Sequence, residues 1–338
     1  MKSLYSLILL FLTLIVSGDV NMQNYQMLAV LDGTQAEAGV YNLTQKTFLP
    51  LKSANYLLES PQLPRRIYAV RNTGVSFFSL NADGSMALLA EAEGKGTVGC
   101  HLAISPDGKF LVTANYGNGV LDFYQLAKNG MPSYSHSFQK AELKNAHFVE
   151  FAADGKSLTA VFLGSDRIVC FSFNPADGKV SPLDTLELPA GSGPRHVVRS
   201  GANQLLVANE LNSTLAVFTA QTLTQTVAGI SAAGTTPNYP GAIRLTPVPD
   251  TAVMTNRGDN SIAVFSLRNG EWWLNFTFPC QGDWPRDCGF SPDGKLFYVC
   301  NERSGNLSLF NFDADSLEFN FTETLPDLPR INNIIFVK

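Results

Sequence analysis

The chain has 338 residues and is short of charge, of cysteine and of cationic runs, and each shortage excludes something. Charged residues make up 16% against 45% hydrophobic ones, the reverse of the balance that keeps a chain unfolded. The formal net charge is −5 and no run of Lys or Arg stands out. A nucleic-acid partner is therefore not expected, since phosphate backbones require a basic stripe. A small anionic ligand stays compatible, because a few local arginines can override a mildly acidic surface. The five cysteines, Cys100, Cys170, Cys280, Cys288 and Cys300, form no CxxC pair and no metal-ligand spacing. Most of them lie in apolar runs, where a free thiol behaves as a small hydrophobe. No segment offers a convincing amphipathic helix, which disfavours solenoids that mix strand and helix.

What is present begins with an N-terminal leader. Lys2 precedes an apolar run from Leu4 to Val16, and small residues follow at Ser17 and Gly18. The run is too short to span a bilayer and suits a secretory signal peptide over residues 1–18. Export of 19–338, with no membrane attachment after cleavage, is expected; a signal anchor or an apolar first strand would read alike. Five N-x-S/T sequons, at Asn42, Asn212, Asn275, Asn306 and Asn320, are about what this composition yields by chance.

The rest of the chain repeats. SPDGKFLVTANYGNGVLDFYQL (105–126), AADGKSLTAVFLGSDRIVCFSF (152–173), SGANQLLVANELNSTLAVFTA (200–220), TPVPDTAVMTNRGDNSIAVFSL (246–267) and SPDGKLFYVCNERSGNLSLFNF (291–312) align on sight. SPQLPRRIYAVRNTGVSFFSL (60–80) fits once its Asp-Gly turn is allowed to be lost, and YQMLAVLDG reads as a divergent seventh copy. Each phrase is a turn, a strand, a short turn and a strand. The strand ends fall at Asn72, Asn115, Phe162, Asn209, Asn256 and Asn301, with steps of 43, 47, 47, 47 and 45. Four short alternating strands per unit at this spacing predict an all-β, seven-bladed β-propeller. The C-terminal INNIIFVK is a strand without a blade of its own, and is expected to pair with N-terminal strands and close the ring.

The phase of the repeat locates a face. The inner strand precedes the Asp-Gly turn and the next strand follows it, so the start of one and the end of the other share a rim. Seven residues before the turn stand Cys100, His147, Arg195 and Arg286; six before it stand His101, His196 and Asp287. Nine after it stand Tyr116 and Glu302, with Glu210 and Arg257 at the matching strand ends of blades whose turns differ (the loop in the Arg195 blade is one residue shorter). Three of the four histidines thus join three arginines and three acids at one mouth of the ring, the usual place for a ligand. Rims are polar in any case and can carry ion pairs of no chemical consequence.

The phrases GCHLAISPDGKFLVTANYGNG, NAHFVEFAADGK, GSGPRHVVRS, VANELNSTLAVF, TNRGDNSIAVF and PRDCGFSPDGK, in this order, closely resemble the lactonase-type seven-bladed propeller family. That family includes bacterial propeller-type 6-phosphogluconolactonases and fungal carboxy-cis,cis-muconate lactonising enzymes. The resemblance runs from about residue 25 to the C-terminus. It implies a site of one His, two Arg and one Glu, which fall here on His147, Arg195, Arg257 and Glu210. As the resemblance implies, His147 is the general base, the arginines hold a carbonyl and an anion, and Glu210 orients a neighbour or moves a second proton. His101, His196, Tyr116 and Arg286 are expected to line the substrate. Two departures stand out: the family's D-L-G reads Phe162-Leu163-Gly164, and its A-E-I-R carries Ala242 at the acidic place. Both are expected on or near the mouth, and the sequon at Asn212 lies two residues from Glu210.

Three functions fit these residues: lactone hydrolysis, the muconate-type cycloisomerisation, or an exported propeller that only binds a small anion. The expected partner is a small lactone or carboxylate, met by a monomer. Neither metal nor cofactor is expected, since arginines among the carboxylates repel a cation.

Overall fold

Alternating apolar residues bounded by Asp-Gly turns yield 28 short strands among the residues that the computed structural model describes, 24–31, 38–201, 203–230 and 237–338. The expected signal peptide, 1–18, lies outside them. The strands form seven four-stranded antiparallel sheets, the blades of a β-propeller. Six are contiguous: blade 2 is β4–β7 (56–92), blade 3 β8–β11 (99–138), blade 4 β12–β15 (146–187), blade 5 β16–β19 (194–228), blade 6 β20–β23 (239–279) and blade 7 β24–β27 (285–325). Blade 1 joins β1–β3 (26–50) to β28 (Ile331–Val337), which pairs antiparallel with β1 from Gln26↔Val337 to Leu31↔Ile331. The closing strand is thus where the sequence placed it, and as the terminal strand of blade 1 it joins the two ends of the chain in one sheet.

The recurrent SPDGK phrase is a turn with its own hook. In blade 3 the Ser105 hydroxyl donates to Asp107 Oδ1 at 2.7 Å and accepts from the Phe110 amide at 3.0 Å. Ser291 repeats both contacts in blade 7, at 2.6 and 2.9 Å. Gly108 and Gly294 sit at φ +71° and +73°, where a side chain is strained. Asparagine ends the second strand for a different reason. Asn256 Nδ2 donates to the Gly229 carbonyl at 3.0 Å and Asn301 Nδ2 to the Cys280 carbonyl at 3.4 Å. Each buried amide thereby pins the segment arriving from the previous blade, satisfying a carbonyl that no strand can reach.

The expected strand end at Asn72 is displaced. β5 (Arg66–Val70) stops at Val70, opposite Val75, so Val70 holds the place of Asn115 and Asn72 is an exposed turn residue. Phe162 and Ala242 do not reach the mouth. Both are fully buried, Phe162 in the core between blades 3 and 4 and Ala242 in the core between blades 6 and 7. Losing an acid at these two places therefore changes packing rather than the ligand rim. Such inter-blade cores hold the ring together, each fully buried Phe or Leu contributing about 1.5–3 kcal/mol.

Candidate active site

The inner strands do not run straight to the mouth. Register shifts between Gly99 and His101, Ala146 and Phe148, Pro194 and His196, and Pro285 and Asp287 leave Cys100, His147, Arg195 and Arg286 as the extra residue of a bulge. The closing strand does the same at Asn332, between Ile331 and Asn333. A bulge sets two residues against one, bends the strand and re-aims a side chain. All five bulge residues line one cavity, together with Tyr56 and His196. The phase that picked out a rim was in fact tracking a ring of bulges.

Around this cavity the structure brings together all eight residues expected from the sequence. Glu210 bridges two arginines, with Oε2 2.6 Å from Arg257 Nη2 and 3.2 Å from Arg195 Nε. Arg257 is fixed from behind by its bonds to the carbonyls of Tyr239 (2.9 Å) and Pro240 (3.0 Å). Arg286 Nη1 donates to Glu302 Oε2 at 3.1 Å, and Arg330 Nη2 meets the other oxygen of Glu302 at 3.1 Å. The ring of Tyr116 stands edge-on to His147, centroids 6.0 Å apart. His147 and His196 are 5.3 Å apart, and His101 lies 5.8 Å from His196 and 4.5 Å from Tyr56.

Three arginines thus face two carboxylates, one of which is shared with a fourth arginine. Burial, then Arg195, Arg286 and Arg257, hold the His147 pKa well below the ordinary histidine value. His196 is lowered in the same way by burial and Arg195, and His101 falls to about 3 through burial and Arg244. All three rings are neutral at pH 7. Burial pushes the Cys100 thiol up, which keeps it protonated. Nδ1 of His101, His147 and His196 is buried without a partner among the described residues; such orphans are rare in folded chains.

The histidines make a prediction about stability. Their folded pKa values are depressed, so their contribution is complete above the unfolded value near 6.5 and is lost as pH falls below it. Each can cost up to about 1.4 kcal/mol per pH unit there. Denaturation midpoints at pH 7.5 and pH 5.0 should show a marked drop at the acid end, and a smaller one in His101→Phe. Equal acid sensitivity in that variant and the wild type would contradict the burial of a neutral His101.

Several residues at the mouth escaped the sequence reading. Asn332 Nδ2 donates to Asn55 Oδ1 at 2.8 Å, and Tyr56 OH accepts from Arg244 at 3.2 Å. Asp287, noted at the right phase but given no role, pairs with Arg244 at 2.6 Å and accepts from Asn333 at 2.9 Å. Trp284, at φ 65°, stacks under Arg303 at 3.3 Å and lies 5.5 Å from Arg257. Asn212 is tied into the loop by bonds to Ser192 Oγ (3.1 Å) and Thr214 Oγ1 (2.7 Å), which a glycan on its nitrogen would disturb. A larger cleft, about 450 Å³, lies at the opposite rim by the Asp293-Gly294 turn. It offers neither histidine nor arginine. Among the described residues no group of three or more His, Cys, Asp and Glu could hold a metal ion.

Comparison with known proteins agrees with the resemblance carried by the motifs. The 6-phosphogluconolactonase of Bacillus subtilis is 26% identical over 265 residues, 72% of this chain and 74% of the relative. The periplasmic gluconolactonase of Pseudomonas aeruginosa superposes with a TM-score of 0.82 at 20% identity, covering 93% of this chain and 99% of that one. A protein from Lactobacillus plantarum does so with the same TM-score at 23% identity and the same coverage. These two likenesses speak for the fold. The family described as lactonase, 7-bladed β-propeller, matches residues 26–336, and the chain belongs to that family.

Proposed function

We propose that this protein hydrolyses a lactone carrying an anionic group, with His147 as general base and Arg195, Arg257 and Arg286 as the anion-binding wall. The observation that carries the reading is the excess of arginine over carboxylate around an uncharged His147. His147 takes a proton from water while the water oxygen attacks the lactone carbonyl. The tetrahedral oxyanion then collapses, the ring C–O bond breaks, and the ring oxygen leaves as a hydroxyl with the proton that His147 returns. Arginines serve the anion bidentately and the developing oxyanion electrostatically. Glu210 is an orienting group, since a single oxygen of it meets both Arg195 and Arg257. The cavity behind the mouth has only about 10 Å³ free, room for one water. The lactone ring therefore rests on the rim, with its carbonyl turned toward the bulge residues.

The relatives' names support lactones as the class, and the charge of the mouth supports an anionic member over a neutral sugar lactone. Two substrates test this: 6-phosphogluconolactone and glucono-δ-lactone, each against its uncatalysed rate. A kcat/KM at least ~10²-fold higher for the phosphorylated lactone is expected from one charge-assisted contact or two. A rate equal to the blank on both would sink the hydrolase reading. Equal kcat/KM on the two would remove the anion from it.

A further inference from the structure

We propose that His196 is a neutral N–H donor to the reaction's oxyanion, its proton fixed on Nδ1 by Arg195. The assignment rests on the lactone-opening reading above and gives one of its residues a definite role. Arg195 Nη1 lies 3.2 Å from His196 Nε2. A guanidinium has only donors, so this contact is a hydrogen bond only when Nε2 offers its lone pair. In a neutral imidazole the proton then resides on Nδ1. Turning the ring over would set a carbon against the guanidinium, so the orientation is fixed as well.

Nδ1 of His196 is buried and has no partner among the described residues, in a residue only 3% exposed. A buried N–H without an acceptor is costly and calls for an explanation; a ligand oxygen supplies one. His196 lines the same cavity as His147, Arg195 and Arg286, and its ring stands 5.3 Å from that of His147. Arg195, Arg244, His147 and His101 all disfavour a charge on it. The ring thus remains a donor rather than a cation, and a preorganised donor needs no reorganisation as charge develops. The same bond removes His196 as a base, because its one lone pair is occupied by Arg195. Proton removal is left to His147.

Two measurements test the assignment. In intact protein labelled with ¹⁵N-histidine, long-range ¹⁵N–¹H correlations should show His196 as the Nδ1–H tautomer from pH 6 to 8. Its N–H signal should move downfield on addition of inorganic phosphate. An Nε2–H tautomer, a charged ring, or no response to phosphate overturns the proposal. In kinetics, His196→Leu should lower kcat by about 10²–10³-fold with KM little changed. His196→Asn, whose Nδ2–H stands near the place of the imidazole Nδ1–H, should recover at least ~10-fold of that loss. The acidic limb of the pH profile should stay in both. If Asn is as inactive as Leu and the limb disappears, His196 is the base and the donor role is refuted. Should the wild type open no lactone above the blank, the hydrolase reading falls by itself and the NMR result alone decides the donor assignment.

Discussion

His147→Asn is expected to lower kcat for lactone opening by about 10²–10⁴-fold, the usual worth of a positioned base. The residue is the extra one of a bulge on β12 (Ala146–Phe151), which turns its ring into the mouth. Its resting pKa is depressed by burial and then by Arg195, Arg286 and Arg257, so the ring is in its basic form throughout the physiological range but is a weak base. A bound anion neutralises part of the arginine field and raises that pKa toward the operating pH, where a base works best. The sign follows directly. Activity requires neutral His147 and is lost as pH falls through its pKa, so the acidic limb of kcat/KM lies below pH 6.5. The limb of kcat, measured on the substrate complex, lies higher. Parallel limbs in the two profiles, or an asparagine variant with full activity, would contradict this role.

Asp287→Ala is expected to cost about 3–5 kcal/mol of stability, the usual loss when one partner of a buried ion pair is removed. Asp287 is 2% exposed and joins three blades. It accepts from Arg244 of blade 6 at 2.6 Å and from Asn333 of the closing strand at 2.9 Å. Asn333 in turn accepts from the Leu57 amide of blade 2 at 3.1 Å. Removing the carboxylate leaves Arg244 uncompensated and breaks the side-chain link between blade 7 and the closing strand. Chemical denaturation measures the effect. The double change Asp287→Leu, Arg244→Met should recover most of the loss, since an apolar pair strands no charge. A double variant as unstable as Asp287→Ala alone would show that the pairing is not the cause.

The propeller was readable because most blades announce themselves locally, by the Ser-Pro-Asp-Gly hook in blades 3 and 7 and by a strand-ending asparagine in blades 3, 5, 6 and 7. Counting along the aligned repeats reached His147, Arg195 and Arg286, since the bulges recur at the same place in the phrase, and Glu210, which follows the strand-ending Asn209. The same counting could not reach Asn55 and Tyr56, whose blade has lost the turn. Nor could it reach Arg330 and Asn332, which enter on a strand from the far end of the chain. Phe162 and Ala242 were misplaced for a related reason. Distance from the turn gives the height of a residue in a blade, and neighbouring residues at one height can face either the channel or the next blade. Only the packing between blades decides which, and a single sequence does not record it.

The most direct test of the account is a crystal structure with the open-chain product, 6-phosphogluconate, bound. The account predicts the product at the mouth, with its anionic groups on Arg195, Arg257 and Arg286 and its new carboxylate within hydrogen-bonding distance of His147 and His196 Nδ1. A product seated instead in the cleft beside Asp293 and Gly294, or a mouth left empty at saturating concentration, would contradict it.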